Sequence, residues 1–278
     1  MIYLVLSILA SIGLLVAFKM FANYGVHTRQ GIMINYLVAG GVAWVVFGQN
    51  GPWLEAPWFL PSCALGVLFY LIFRVMAKVT QTNGMAVSST ATKMSVVIPV
   101  SVGLFVLNES FSTLKFIGII LGLVSIVLSV GGSMKRSDIL WPLILFLGSG
   151  TIDAALKLFQ YTWVSDEAFP LFIANVFLSA FVVALSHHIF TKERTVSFRT
   201  MVGGLGLGLV NLGALYFILL ALALPSWESS VVFPINNFGI IAGSTLLAVF
   251  VLKERVTPRG WMGFVLASLS ILILYLSR

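Results

Sequence analysis

From its first residues to its last, the chain is one apolar stretch of about 20 residues after another. That recurrence constrains the fold more than any other feature, because each stretch can cross a hydrocarbon core about 30 Å thick. Ten stretches are read, at 2–21, 32–48, 58–77, 86–107, 114–131, 139–160, 168–189, 201–223, 229–252 and 259–276. Lipid offers no partner to a free backbone N–H or C=O, so each span must satisfy its own groups as a helix or within a closed barrel. Barrel strands alternate polar and apolar residues, and these runs do not. The expected fold is therefore all-α, a polytopic membrane protein of ten transmembrane helices. Composition agrees: 59% of residues are hydrophobic and 9% charged, against about a quarter charged in soluble domains.

The opening MIYLVLSILASIG lacks a basic leading region, so it is expected to be an uncleaved span rather than a signal peptide. Cys63 is the single cysteine, which excludes an internal disulfide framework and a thiolate metal cluster. The net charge of +7 would suit nucleic acid, but its placement indicates membrane topology instead. Connections and helix ends after odd-numbered spans hold Lys19, Arg29, Arg74, Lys78, Lys135, Arg136, Lys192, Arg194, Arg199, Lys253, Arg255 and Arg259. The opposite side holds Lys115 and Arg278. Twelve against two is a strong positive-inside bias. It predicts a cell inner (plasma) membrane protein with the odd connections in the cytoplasm and both termini outside. Trp53 and Trp58 fit an interfacial aromatic belt.

The chain also repeats itself. LNESFSTLKFIGIILGLVSI (107–126) aligns without gaps on LKERVTPRGWMGFVLASLSI (252–271), a shift of 145 residues. Identities fall at Leu107/Leu252, Glu109/Glu254, Gly118/Gly263, Leu121/Leu266, Ser125/Ser270 and Ile126/Ile271, and Lys19-Met-Phe21 is echoed by Lys157-Leu-Phe159. Two halves are read, 1–132 and 139–278, together one transmembrane domain. Five spans per half is odd, so the second half enters the membrane inverted. Inverted repeats are typical of secondary transporters that bind near the midplane between halves.

Ten spans in two five-span halves, each half with a Leu-x-Glu turn before a Gly-containing last helix, resemble the drug/metabolite transporter superfamily and its EamA-like members. The segment PINNFGIIAGSTLLAVFVLKER (234–255) and the paired Glu turns carry the likeness, which covers the whole chain. The resemblance implies a pseudo-symmetric helical transporter with a central cavity and alternating access. Its substrates would lie among amino acids, sugars, nucleotide sugars and drugs. One departure concerns the prolines. Pro99 lies ten residues before Glu109, Pro234 lies twenty before Glu254, and the position matching Pro99 is Ser244. The two kinks are not symmetry mates.

Three ionisable residues fall well inside spans: Lys93, Asp153 and Lys157. Charge at a helix centre costs about 2.5–3.5 kcal/mol on insertion scales and usually faces a bundle interior or wet cavity. Asp153 and Lys157 are spaced i, i+4 with the acid first, the favourable order for a pair, and Ser149 and Gln160 continue that stripe. One reading is a self-neutralising pair that lets the helix insert. The other is a pair that lines the substrate path. Lys93 has no partner nearby in sequence, yet Ser88, Ser89, Thr92 and Ser95 make its stretch polar on a broad front. A snorkelling lysine is the alternative to a cavity-lining one, at the limit of reach two turns in.

In the ninth span, Pro234-Ile-Asn-Asn237 sets Asn236 and Asn237 beside a carbonyl freed by proline, that of Ser230. The structural alternative is a kink whose Asn side chains bond neighbouring helices. Asn211 and Tyr216 in the eighth span are weaker candidates of the same kind. GGLGLGLVNLG (203–213) has no strand before it, so Gly204, Gly208 and Ala221 are expected to allow close helix packing. His187 and His188 lack acidic or thiol company at ligand spacing, so no metal site is expected. Glu109 and Glu254 are expected to cap the helix that follows each.

These readings converge on a secondary transporter rather than an enzyme. It would move a small polar metabolite, anionic or zwitterionic in preference, with Lys93, Asp153, Lys157, Asn236, Asn237, Asn211 and Tyr216 as substrate contacts. Asp153 is the candidate proton carrier. No cofactor and no nucleic acid are expected, and the protein would be a monomer or homodimer in the bilayer. The alternatives are an exporter of cationic drugs that uses Asp153, and a lipid-flipping or accessory membrane protein.

Overall fold

The computed structural model describes residues 2–48, 53–106, 112–130, 136–165, 167–191, 195–222 and 229–276. Among these residues it is all-helical. The helices are α1 (Ile2–Asn23), α2 (Thr28–Phe47), α3 (Phe59–Thr82), α4 (Met85–Met94), α5 (Val97–Phe105) and α6 (Thr113–Val130). After them come α7 (Arg136–Thr162), α8 (Phe169–Phe190), α9 (Phe198–Leu222), α10 (Ser229–Phe250) and α11 (Pro258–Leu276). A short 3₁₀ turn, Trp53–Glu55, precedes α3.

Among the described residues, with Met85–Gly103 taken as one span, eight helices are long and apolar enough to cross a membrane. Thr113–Ser129 and Ile235–Phe250 add shorter apolar helices. The protein is a multi-pass helical membrane protein. Its fourth span is interrupted by a tight turn. α4 stops at Met94 and α5 starts at Val97, with Ser95 and Val96 between them. Pro99 explains the place: it has no N–H to give the carbonyl four residues back, that of Ser95. The Ile98 N–H reaches that carbonyl instead, over a tighter turn at 2.9 Å. Pro234 acts differently, since α10 runs unbroken through its segment.

In the packing, α2 lies on α8 and α9, α8 on α2 and α3, and α6 on α11. α1 and α10 pack together, as α7 does with α4 and α5, and α10 crosses α4. Small residues set several crossings, because without a hydrophobic drive in lipid close approach supplies the attraction. A Cβ on Gly204 would meet the Gly31 carbonyl at 3.0 Å, and one on Gly208 would meet the Asn35 carbonyl at 3.0 Å. Ala221 is buried beside Leu4 and Val232. Gly118 faces Leu274, Gly263 faces Ser129, and the Ser270 hydroxyl donates to the Gly118 carbonyl at 2.7 Å.

Basic residues from several connections meet on one face. His187 contacts Arg29 at 3.4 Å, Tyr70 at 3.0 Å and Arg74 at 3.3 Å. The His27 N–H donates to Thr200 at 3.1 Å, and Lys78 lies over the Trp141 ring, 3.4 Å from its centroid. Two expectations need correction. Trp58 is no belt residue: it is 5% exposed and packs edge-on against Phe172. Glu254 does not cap the helix that follows it. Thr257 does, accepting the Gly260 N–H at 3.1 Å, because its hydroxyl is the one spaced for the first turn. Glu109 and the Trp53 side chain lie outside the described residues.

Candidate functional site

The break in the fourth span positions the site. Lys93 sits in the last turn of α4, where a cation meets the negative end of the helix dipole. Two residues on, Ser95 lies in the break itself; its hydroxyl donates to the Thr92 carbonyl at 2.5 Å and lies 3.4 Å from the Asp153 carboxylate on α7. Lys93 stands two residues before Ser95, so the end of α4 that meets Asp153 also carries a cation. The structure thus brings together, across two helices, residues that are 58 positions apart. Lys157, one turn further along α7, is half-buried and makes a polar or ionic contact of its own.

Glycines on α7 hold this arrangement. A Cβ on Gly150 would fall inside the Ile98 side chain of α5, and one on Gly148 inside Ile72 of α3. Without those side chains α5 lies directly against α7, one turn before Asp153. Asp153 is nevertheless exposed on its helix, as are Gln160 and Tyr161 toward the end of α7. An exposed carboxylate in the body of a 27-residue helix that faces a helix end and a cation is unusual in a membrane segment. Hydrocarbon would penalise an unpaired carboxylate there by several kcal/mol.

The other candidates are not drawn into this group. Asn236 is 4% exposed, and its side-chain oxygen has no hydrogen-bond partner among the described residues. It shares a face of α10 with Gly239 and Gly243, whose missing side chains admit Ile8 and Ile12 of α1. Asn237 beside it is half-buried. Asn211 is half-buried on α9, and Tyr216 is 45% exposed with its ring tilted against Phe217. No hydrogen bond among the described residues joins these four to Asp153 or Lys93.

Several polar positions carry no sequence signal of their importance. Asn35 is fully buried on α2, and neither of its amide atoms has a partner among the described residues. Asn175 is buried on α8 and donates to Ser62 on α3. A single amide inside an apolar run marks either position only as polar, and the partner lies far away in the chain. Gly148 and Gly150 likewise read as ordinary glycines until α3 and α5 are seen against them.

No protein-family model matches the chain. An uncharacterized protein of Haemophilus influenzae is 25% identical over 290 residues, covering 98% of this chain and 97% of its own. A protein known from a crystal structure aligns with a TM-score of 0.62 at 14% identity, over 98% of each chain, so the two share a fold along their whole length.

Proposed function

We propose that this protein is a secondary transporter of the drug/metabolite transporter kind, working by alternating access between two inverted halves of five spans. Reciprocal packing supports the inverted halves. Gly118 faces Leu274 while Gly263 faces Ser129, and 263 and 129 are the positions that the 145-residue shift assigns to 118 and 274. Exchange of halves also carries the α2–α9 contact onto α8–α3, and α1–α10 onto α7 with α4 and α5. The basic face is the cytoplasmic one by the positive-inside argument, in an inner membrane, with both termini on the other side.

One observation carries the transport reading: an exposed acid on α7 facing a broken helix that bears Lys93 and Ser95. Discontinuous helices at the midplane are where transporters commonly bind substrate, through freed backbone groups and helix ends. Both signs of charge are present within one site. A zwitterion matches it best, its acid group toward Lys93 and its ammonium toward Asp153. A simple anion would use Lys93 alone. Proton coupling would use Asp153.

The test is ligand-dependent stabilisation of the purified protein, because a ligand that binds only the folded state raises its melting temperature. Amino acids, sugar acids and small phosphates are screened beside quaternary ammonium compounds. Stabilisation by amino acids that is lost in Lys93→Met supports the reading. Stabilisation by the quaternary compounds alone, unchanged in Lys93→Met, overturns it in favour of a cation exporter.

A further inference from the structure

Glu254 joins the two halves on the basic face in a way that the expected capping role does not explain. α10 ends at Phe250, and the chain turns back so that the Glu254 N–H donates to the Ala248 carbonyl at 2.8 Å. Lys253 takes φ +53 to make that turn. Glycine is the usual occupant of such a left-handed position at a helix end, and a side-chain residue held there is strained. The turn aims the Glu254 carboxylate away from its own half.

One of its oxygens accepts the Met85 N–H, the first of α4, at 2.9 Å. The other lies 2.7 Å from the Lys19 ammonium at the end of α1. The residue preceding α4 is Gly84, which has no side chain to cap the helix, so the orphan first-turn N–H takes its acceptor from the other half. Gly84 is required there twice over. Its φ is +99, and a Cβ on it would sit 2.7 Å from the Glu254 carboxylate. Beneath the charges, Leu15, Met85 and Ala248 form a buried apolar plug, with Val16, Met76, Leu247 and Leu252 around it. The side chains of Lys19 and Glu254 are only 26% and 13% exposed, which limits their screening by water and salt.

We propose that Lys19, Glu254 and the amino end of α4 form a latch that holds the basic face shut. α4 is a rod of only ten residues, about 15 Å long. Its first N–H is gripped by Glu254, and its last turn carries Lys93. A path from the basic face to Lys93 and Asp153 opens only when the start of α4 leaves the end of α10. That separation breaks the carboxylate's contacts with Lys19 and Met85 together. Both charges then pass into water at the membrane surface, so release is reversible. The latch rests on the transport reading for its purpose, but its opening is measurable without any substrate.

The experiment places a cysteine at Ser89, buried on α4 behind the plug, in full-length protein with Cys63→Ala. Labelling by a membrane-impermeant thiol reagent is timed in inside-out vesicles. In this background it is slow. Glu254→Gln and Lys19→Met each raise the rate tenfold or more. Met85→Pro does the same with both charges still present, because proline is tolerated at the first helical position but removes the N–H that Glu254 accepts, together with the Met85 side chain of the plug. A second cysteine at Ser270, buried between α6 and α11, stays unlabelled throughout and separates latch opening from unfolding. An unchanged rate at Ser89 in both Glu254→Gln and Met85→Pro overturns the latch, as does equal acceleration at Ser270 in all three variants. A failure of the transport reading shows up elsewhere, as the absence of any ligand that stabilises the protein.

Discussion

Replacing Asp153 by asparagine isolates the charge of the site from its shape. The amide keeps the carboxylate's outline beside the Ser95 hydroxyl, which lies 3.4 Å away in the wild type. The negative charge opposite Lys93 is what goes. An ammonium group of a ligand held about 4–6 Å from that carboxylate gains about 3–4 kcal/mol at an effective dielectric of 20. Desolvation of both groups offsets part of that gain, and the net loss expected is about 1–2 kcal/mol, or roughly 5- to 30-fold in affinity. A ligand with the same carboxylate but no ammonium should move the other way, because Lys93 has lost its counter-charge. The assay is competition binding to purified wild type and Asp153→Asn with one amino acid and its N-acetyl derivative. The wild type should prefer the amino acid and the variant the N-acetyl compound. If both bind both proteins with the same ratio of affinities, Asp153 does not face the ligand and the zwitterion argument fails.

Asp153→Asn should also abolish uptake driven by a pH gradient in proteoliposomes while leaving substrate exchange measurable; unchanged gradient-driven uptake removes Asp153 from proton coupling. Gly150→Ala should lower the melting temperature, since its Cβ falls inside Ile98 and overpacking costs about 1–3 kcal/mol. Ile98→Ala in the same chain should recover most of that, and a rise in the single variant would mean that α5 is not seated on α7. Asn35→Leu should raise the melting temperature, because it replaces a fully buried amide that is unpartnered among the described residues with an apolar group of similar size. An unsatisfied amide costs about 1–3 kcal/mol, and a fall instead would reveal a bound water or ligand there. In the Cys63→Ala background a cysteine at Ser197 should resist an impermeant thiol reagent in intact cells while one at Glu55 reacts; the reverse pattern overturns the orientation.

The sequence by itself determined that this chain lives in a bilayer and crosses it as helices, because apolar run length and the demand for internal backbone hydrogen bonds are local properties. It also singled out Lys93 and Asp153, since a charge stands out against hydrocarbon wherever it lies. What it could not supply was the partner of each group. Spacing along one helix suggested Lys157 for Asp153; packing of α4 against α7 adds the end of α4, with Lys93 and Ser95, on that side of the acid. Pro99 announced a disturbance, but only the loss of the Ser95 carbonyl's usual donor, with α5 seated against Gly150, turned it into a break beside the acid. Glu254 read as a cap, and it is one, yet for a helix 169 residues away. Periodicity and composition report which face of a helix is apolar or charged. Which faces meet is decided by the simultaneous packing of all the helices, where close approach at glycines fixes distances that no local stretch of sequence contains.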